Sequence, residues 1–234
     1  PRYVDESKCT GCGACTEKCT VEVPDEFNTG LSWRKAIYIP FAQAVPPAYV
    51  LDAKSCLGLL PQACGECKKA CDKLGMSCIN LDALPEMHEL EVGAIVVSTG
   101  YDIYLPYDNP LYGYGKYTNV ITSLEFERLI LAAGPTGGKV VRASDGNKPH
   151  SVAFIQCVGS RDVNKYPYCS NFCCMYTLKH VIQLKEKYKE DVEAYVFYMD
   201  MRSNFKGYEE FYDRARALGV NFIRGRVSRV LEIP

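Results

Sequence analysis

The chain has 234 residues, with 27 Lys and Arg against 28 Asp and Glu and 47% hydrophobic residues. Its formal net charge of −1 argues against nucleic acid as a partner, and no run of about eighteen apolar residues suggests a membrane span. That length holds a small module plus one domain of ordinary size, and its 13 cysteines set the order in which it is read.

Tyr3 and Val4 begin a short strand ahead of Cys9-Thr-Gly-Cys12-Gly-Ala-Cys15-Thr-Glu-Lys-Cys19. Two residues between each of the first three cysteines let a tight loop wrap one corner of an iron–sulfur cube. Gly11 and Gly13 supply the unusual dihedrals, and loop N–H groups can point at the inorganic sulfides. Thr16 to Cys19 should form the helical turn that closes the loop. Lys35 to Pro40 suits a strand ended by proline. Pro46 and Pro47 make a stiff, extended connection to Tyr49–Leu51. The second run is looser, with Cys56 followed by Cys64-Gly-Glu-Cys67-Lys-Lys-Ala-Cys71.

In bacterial-type ferredoxins the fourth cysteine of each run ligates the other cluster. Cys9, Cys12, Cys15 and Cys71 are therefore expected on one 4Fe–4S group, and Cys56, Cys64, Cys67 and Cys19 on its neighbour. Thr20 and Asp72 replace the proline that usually follows the fourth cysteine, which alters only local backbone shape. Structural zinc and disulfides are the competing readings. Zinc ribbons use paired knuckles rather than a third cysteine at the same step, and disulfides suit small secreted domains, whereas no apolar leader precedes these crowded cysteines. Cys78 reads as a buried thiol. Residues 1–83 thus read as a decorated two-cluster ferredoxin module. The density of reduced cysteine points to an anaerobic cytoplasm, and the start at Pro1 suggests a piece of something longer.

Beyond Leu84-Pro85 the apolar run Ala94–Val97, ending in Ser98-Thr99-Gly100, predicts a buried strand feeding a glycine turn. Such a turn can lie beside a bound nucleotide, and an ordinary core strand reads equally well. Residues 101–120, rich in Tyr, Gly and Pro, form a surface loop. Thr122 with Glu125 makes a capping box for a helix that ends at Gly134-Pro135. Val152–Gln156, Asn171–Tyr188 and Val192–Met199 form a β-α-β unit. A second amphipathic helix places Tyr208, Phe211, Tyr212, Ala215 and Leu218 on one face and stops at Gly219. Val220 to Ile233 finishes as strands turning at Arg224-Gly225. The turn after the first strand of this unit holds only Gly159 where a dinucleotide fingerprint needs three glycines, so NAD(P) binding is not expected. Cys157, Cys169, Cys173 and Cys174 converge instead on a helix N-terminus, as a third cluster or as buried or redox-active thiols.

The phrases GAIVVSTGYD, VAFIQCVGSRD, YCSNFCCMYTLKH, VFYMDMR and GVNFIRGRV together resemble the A subunit of heterodisulfide reductase and its polyferredoxin relatives. That resemblance implies a thioredoxin-reductase-like flavin fold interrupted by an inserted ferredoxin domain. The fold class expected is therefore mixed α+β and α/β, with a two-cluster ferredoxin-like module at residues 1–83. A partial thioredoxin-reductase-like nucleotide-binding-type domain follows at residues 84–234. It further implies a third cluster on Cys157, Cys169, Cys173 and Cys174, and FAD as the family cofactor, with Thr99 and Gly100 the only flavin contacts carried over. A first flavin fingerprint and a final Gly-Asp element are not found in the sequence, so FAD need not bind this stretch by itself. Lys179, on the helix after the cysteine pair, is the candidate catalytic cation for an anionic reduced flavin; a solvated helix face is the competing reading. The activity implied is flavin-based electron bifurcation, carried out by a multi-protein oxidoreductase of which this chain is one component. Its partners would be other heterodisulfide-reductase-type subunits, a hydrogenase or a formate- or NADH-dehydrogenase-type donor, and ferredoxin, in an assembly that can be oligomeric. A flavin-free electron-transfer module, a cluster-bearing scaffold and a pyridine-nucleotide disulfide reductase remain as other classes. Cys64 and Cys67 match the spacing that the last of these requires, while their flanking cysteines and the missing glycines argue against it.

Overall fold

A computed structural model of the protein describes residues 1–60 and 63–233. The chain splits into two compact units, Pro1–Thr99 and Gly100–Pro234. In the first, Val4 and Ile79 form an antiparallel bridge. The Asp5 N–H donates to the Cys78 carbonyl and the Asn80 N–H to the Tyr3 carbonyl, each at 2.8 Å. The expected strand at Tyr3-Val4 is thus a single bridge that ties the approach to the first cysteine loop to the stretch after the second.

Helix α1 (Ala14–Glu17) starts two residues before the predicted turn, because Gly13 at φ 88° makes the left-handed kink that lets the backbone coil there. Helix α2 (Glu66–Lys73) carries Cys67 and Cys71 on its buried side. Between the two helices lie hairpin β1 (Glu22–Pro24) and β2 (Trp33–Lys35), and the antiparallel pair β3 (Ile37–Tyr38) and β4 (Val50–Leu51). The predicted strand 35–40 is split at Ala36, whose carbonyl accepts from the Asp52 N–H at 2.8 Å. Arg34 anchors this region from a buried position. Its guanidinium grips Glu26 at 2.6 and 2.5 Å and Asp52 at 3.1 Å, and stacks 3.9 Å above the Tyr38 ring. The buried centre of the unit is Val4, Ile37 and Ile79 with Cys15, Cys67, Cys71 and Cys78.

The second unit holds a three-stranded parallel sheet in the order β5 (Ser151–Ile155), β6 (Glu193–Tyr198), β7 (Asn221–Arg224). Helix α4 (Cys173–Tyr188) connects the first two strands and α5 (Tyr208–Ala217) the last two. Leu178, Val181 and Leu184 recur at helical spacing on α4 and are fully buried with Val192, Ala194 and Val196. Helix α3 (Ser123–Ile130) begins with the predicted capping box. The Glu125 N–H donates to Thr122 Oγ1 at 3.2 Å and the Thr122 N–H to the Glu125 carboxylate at 2.5 Å. Phe126 then meets Phe154 edge-on at 5.1 Å.

Several expectations are corrected. Residues 94–97 form no strand, and Ile95, Val96 and Val97 are 77–88% exposed. An extended segment keeps a strand geometry only where a neighbour takes its ladder hydrogen bonds, and no described strand pairs with it. Helix α3 stops at Ile130 rather than at Gly134. There the chain doubles back so closely that a Cβ on Gly134 would lie 1.7 Å from the Arg128 carbonyl oxygen. Helix α4 starts two residues later than predicted, because Asn171 is left-handed at φ 61°. After β7 no second strand forms among residues 226–233. The Gly225 N–H ends the ladder on the Tyr198 carbonyl at 2.8 Å. Residues 84–99, between the expected domain boundary and the observed division, hold no helix or strand.

Candidate iron–sulfur centres

In the first unit Cys9, Cys12, Cys15, Cys71 and Cys78 line one cavity, walled by Val4, Tyr49, Met76 and Ile79. The loop that carries Cys9 and Cys12 comes close to the Pro47 backbone. A Cβ on Gly11, which sits at φ 70°, would fall 2.6 Å from the Pro47 carbonyl oxygen. Burial is the main cause that pushes the Cys15 thiol up to about 12, with the neighbouring Cys67 and Cys9 adding to it. A thiol so disfavoured as a free anion ionises only when a metal takes its charge. Sulfurs crowded into an apolar cavity therefore fit an iron–sulfur group. Cys71 Sγ lies 3.2 Å from Cys78 Sγ, and Cys78 is pushed up to about 12 by burial first and Cys71 second.

The second set gathers around Cys67. Burial drives its thiol up to about 11, and the thiols of Cys56, Cys19 and Cys64 act on it in the same direction. Cys19 comes from the first run, so the fourth cysteine of that run lies near Cys67 of the second. Gly58 permits the fold of this loop, since a Cβ there would meet the Cys64 carbonyl oxygen at 2.3 Å. Cys56 and Cys67 are buried, while Cys19 and Cys64 are half-buried. The Cys67 thiol acts on Cys15 and both lie in one buried cluster, which makes the two sets neighbours. Among the described residues no three His, Cys, Asp or Glu side chains converge to hold a single ion.

In the second unit Cys157, Cys169, Cys173 and Cys174 also come together. Cys157 follows β5 in a left-handed conformation at φ 60°, and Arg161 and Asn171 are left-handed too, at 57° and 61°. Such conformations in non-glycine residues concentrate where function overrides local preference. The Asn171 N–H donates to Cys169 Sγ at 3.4 Å. Helix α4 opens at Cys173 with no side-chain cap, and the Cys174 and Cys157 backbone N–H groups bond the Cys173 sulfur, where the helix N-terminus favours negative charge. A hydrogen bond from Cys174 draws the Cys173 thiol down to about 6. The same bond, with burial, pushes Cys174 up. These thiols fit a metal group as the first two sets do.

Sequence reasoning missed the charged frame of this third set. Arg161 pairs with Asp200, which also receives Arg202 at 3.2 Å, and Arg161 bears on Cys157 as a hydrogen-bonding cation. Ser160 Oγ and the Arg161 N–H both donate to the Tyr168 carbonyl, at 2.7 and 3.0 Å. A basic residue four positions after Cys157 was the available signal; Asp200 at the end of β6 had none. The turn's single glycine is covered, since a Cβ on Gly159 would enter the Tyr104 ring at 2.4 Å.

Lys179 Nζ sits on the Glu127 carboxylate at 2.5 Å, and His180 Nε2 meets the same carboxylate at 2.5 Å. Burial alone would raise Glu127, but these two hydrogen bonds outweigh it and hold the carboxyl below its usual range. Burial likewise depresses the His180 imidazolium. Thr99 and Gly100 are exposed, and nothing lies within 4 Å of the space a Cβ on Gly100 would occupy.

Residues 2–25 match the family model of the 4Fe-4S binding domain. Over the whole chain the sequence is similar to the iron-sulfur A subunit of CoB–CoM heterodisulfide reductase from Methanocaldococcus jannaschii, 53% identical over 237 residues. The match covers 100% of this chain and 35% of that protein. The A subunit of the H(2):CoB-CoM heterodisulfide,ferredoxin reductase from Methanothermobacter thermautotrophicus is 49% identical, with 100% and 34% covered. The A subunit of the ferredoxin/F(420)H(2)-dependent CoB-CoM heterodisulfide reductase from Methanosarcina acetivorans is 44% identical, with 98% and 28% covered. The chain spans about a third of the length of the curated relatives it matches.

Proposed function

We propose, from the premise that this chain is homologous over its whole length to part of the A subunit of heterodisulfide reductases, that it is an iron–sulfur electron-transfer part of such an oxidoreductase. The observation that carries this reading is the crossed pairing of the cysteines, with Cys71 in the cavity of the first run and Cys19 beside Cys67 of the second. Cys9, Cys12, Cys15 and Cys71 would hold one 4Fe–4S group, and Cys56, Cys64, Cys67 and Cys19 the next. Cys157, Cys169, Cys173 and Cys174 would hold a third. When bound, such groups supply one-electron carriers whose potentials follow burial and hydrogen bonding.

The chain's own residues set those conditions. Buried Cys15, Cys56, Cys67 and Cys71 bring their sites out of water, so local charges act in a low dielectric. The open first turn of α4 and the Arg161 guanidinium offer positive charge to the third site. Asp200 and Tyr168 hold Arg161 in place.

The fuller role we propose for an assembly containing this chain is flavin-based electron bifurcation, with the two-cluster module on the ferredoxin-directed branch in an anaerobic cytoplasm. The part we assign to this chain is the iron–sulfur path, with Thr99 and Gly100 the flavin contacts proposed for the assembly; electron transfer by this chain without bound flavin is the second reading.

Iron and acid-labile sulfide per chain after anaerobic preparation test the proposal. About twelve irons supports three groups and about eight supports two; zinc in place of iron overturns it.

A further inference from the structure

The first unit has nine cysteines where two four-iron groups need eight. We propose that Cys78 is a reserve ligand of the first site, able to take the place of Cys71 on the iron. This rests on the iron–sulfur reading above and goes beyond the ligand sets stated there.

Cys78 lines the same cavity as Cys9, Cys12, Cys15 and Cys71, and its sulfur is 3.2 Å from that of Cys71. That separation is far longer than the roughly 2.05 Å of a disulfide and short enough for the two sulfurs to share a proton. The backbone aims Cys78 at this point. Cys71 lies in the last turn of α2, and the chain leaves through Gly75 at φ 75° and Ser77 at φ 44°. A left-handed conformation in serine, immediately ahead of Cys78, opposes local preference. The bridge of Val4 with Ile79 and the hydrogen bond from the Asp5 N–H then fix the Cys78 backbone. A thiol that served only as apolar filling would not call for a strained residue or for a sulfur neighbour.

Among the described residues Cys19, the equivalent fourth cysteine of the first run, has no extra cysteine recorded in sulfur contact with it. Its own nearby polar contact is the Val21 carbonyl at 4.0 Å. In the exchange at the first site, the bond from iron to Cys71 sulfur breaks and one to Cys78 sulfur forms. The proton of Cys78 passes to the departing Cys71 sulfur. No electron is gained or lost.

The test uses the full chain, prepared anaerobically, with iron, acid-labile sulfide and the electron paramagnetic resonance of the dithionite-reduced state as readouts. Cys71→Ser should keep the iron content of the unaltered chain, as should Cys78→Ser. Cys71→Ser/Cys78→Ser should lose about four irons, and Cys19→Ser about four by itself. Loss of iron from Cys71→Ser equal to that from Cys19→Ser overturns the proposal. So does loss from Cys78→Ser alone, or full iron in the double variant. Should Cys71→Ser fail to fold, selenocysteine substituted for Cys78 decides in an otherwise unaltered chain. The softer selenolate should displace Cys71 and broaden the first group's resonance when a magnetic selenium isotope is used, and an unbroadened signal overturns the proposal. An unaltered chain without iron would instead defeat the underlying cluster reading, so the two failures are separable.

Discussion

Leu178, Val181 and Leu184 meet Val192, Ala194 and Val196 with no solvent exposure in the second unit, whereas the buried centre of the first offers three aliphatic side chains beside four cysteines. The second unit folds as ordinary α/β proteins do, on apolar area removed from water by a parallel sheet and its crossover helices. The first has too little hydrocarbon for that route. Small domains in this position depend on metal bonds, and their folding free energy is then metal-binding free energy.

The largest expected effect breaks the comparison directly. Chelating the iron under anaerobic conditions should abolish amide hydrogen-exchange protection in β3, β4 and α2, while β5 and β6 keep theirs. Protection that survives in the first unit without iron would mean its few aliphatic residues suffice. Next in size, Leu178→Ala should destabilise the second unit by about 2–5 kcal/mol in urea unfolding and leave the iron bound by the first unit unchanged. Lost iron there would show that the two units fold as one.

Arg34→Met sharpens the comparison inside the first unit, with an expected loss on the order of 1.5–3 kcal/mol because the buried guanidinium holds Glu26 and Asp52 together. Burial raises Asp52, but hydrogen bonds from Ser55 and Arg34 overcome it and hold the carboxyl below its ordinary value. A carboxyl depressed in the folded state stabilises fully above its unfolded pKa of about 3.9. That contribution disappears as pH falls through the lower folded value. Arg34→Met should therefore move the acid unfolding limb upward, read by the fluorescence of Trp33 on β2, the sole tryptophan. An unmoved limb would show that Asp52 gains nothing from Arg34.

The closeness of the first two cysteine sets was legible in their spacing, because each run holds its thiols within eleven and sixteen residues, and a 4Fe-4S binding domain matches residues 2–25. The capping box at Thr122 and the β-α-β alternation were legible for similar reasons, since their causes lie within one turn or one repeat. Long-range partners were not. Ala94–Val97 has the composition of a buried strand, but burial needs a neighbour and composition does not supply one. Arg161 and Asp200 stand 39 residues apart, and only the tertiary fold brings that ion pair to Cys157. Cys78 was legible as a buried thiol and is one, but nothing in its spacing announces Cys71 as its neighbour; the return of the chain through Ser77 places it there.

The bridge between Val4 and Ile79 has a consequence for architecture. It sets the two ends of the cysteine-bearing loop side by side, about one strand spacing or 5 Å apart. A segment whose ends lie that close can be spliced into an exposed turn of a host domain, since the gap it must span there hardly changes. A piece closed in this way is modular: the gap it spans stays nearly constant whatever chain flanks it.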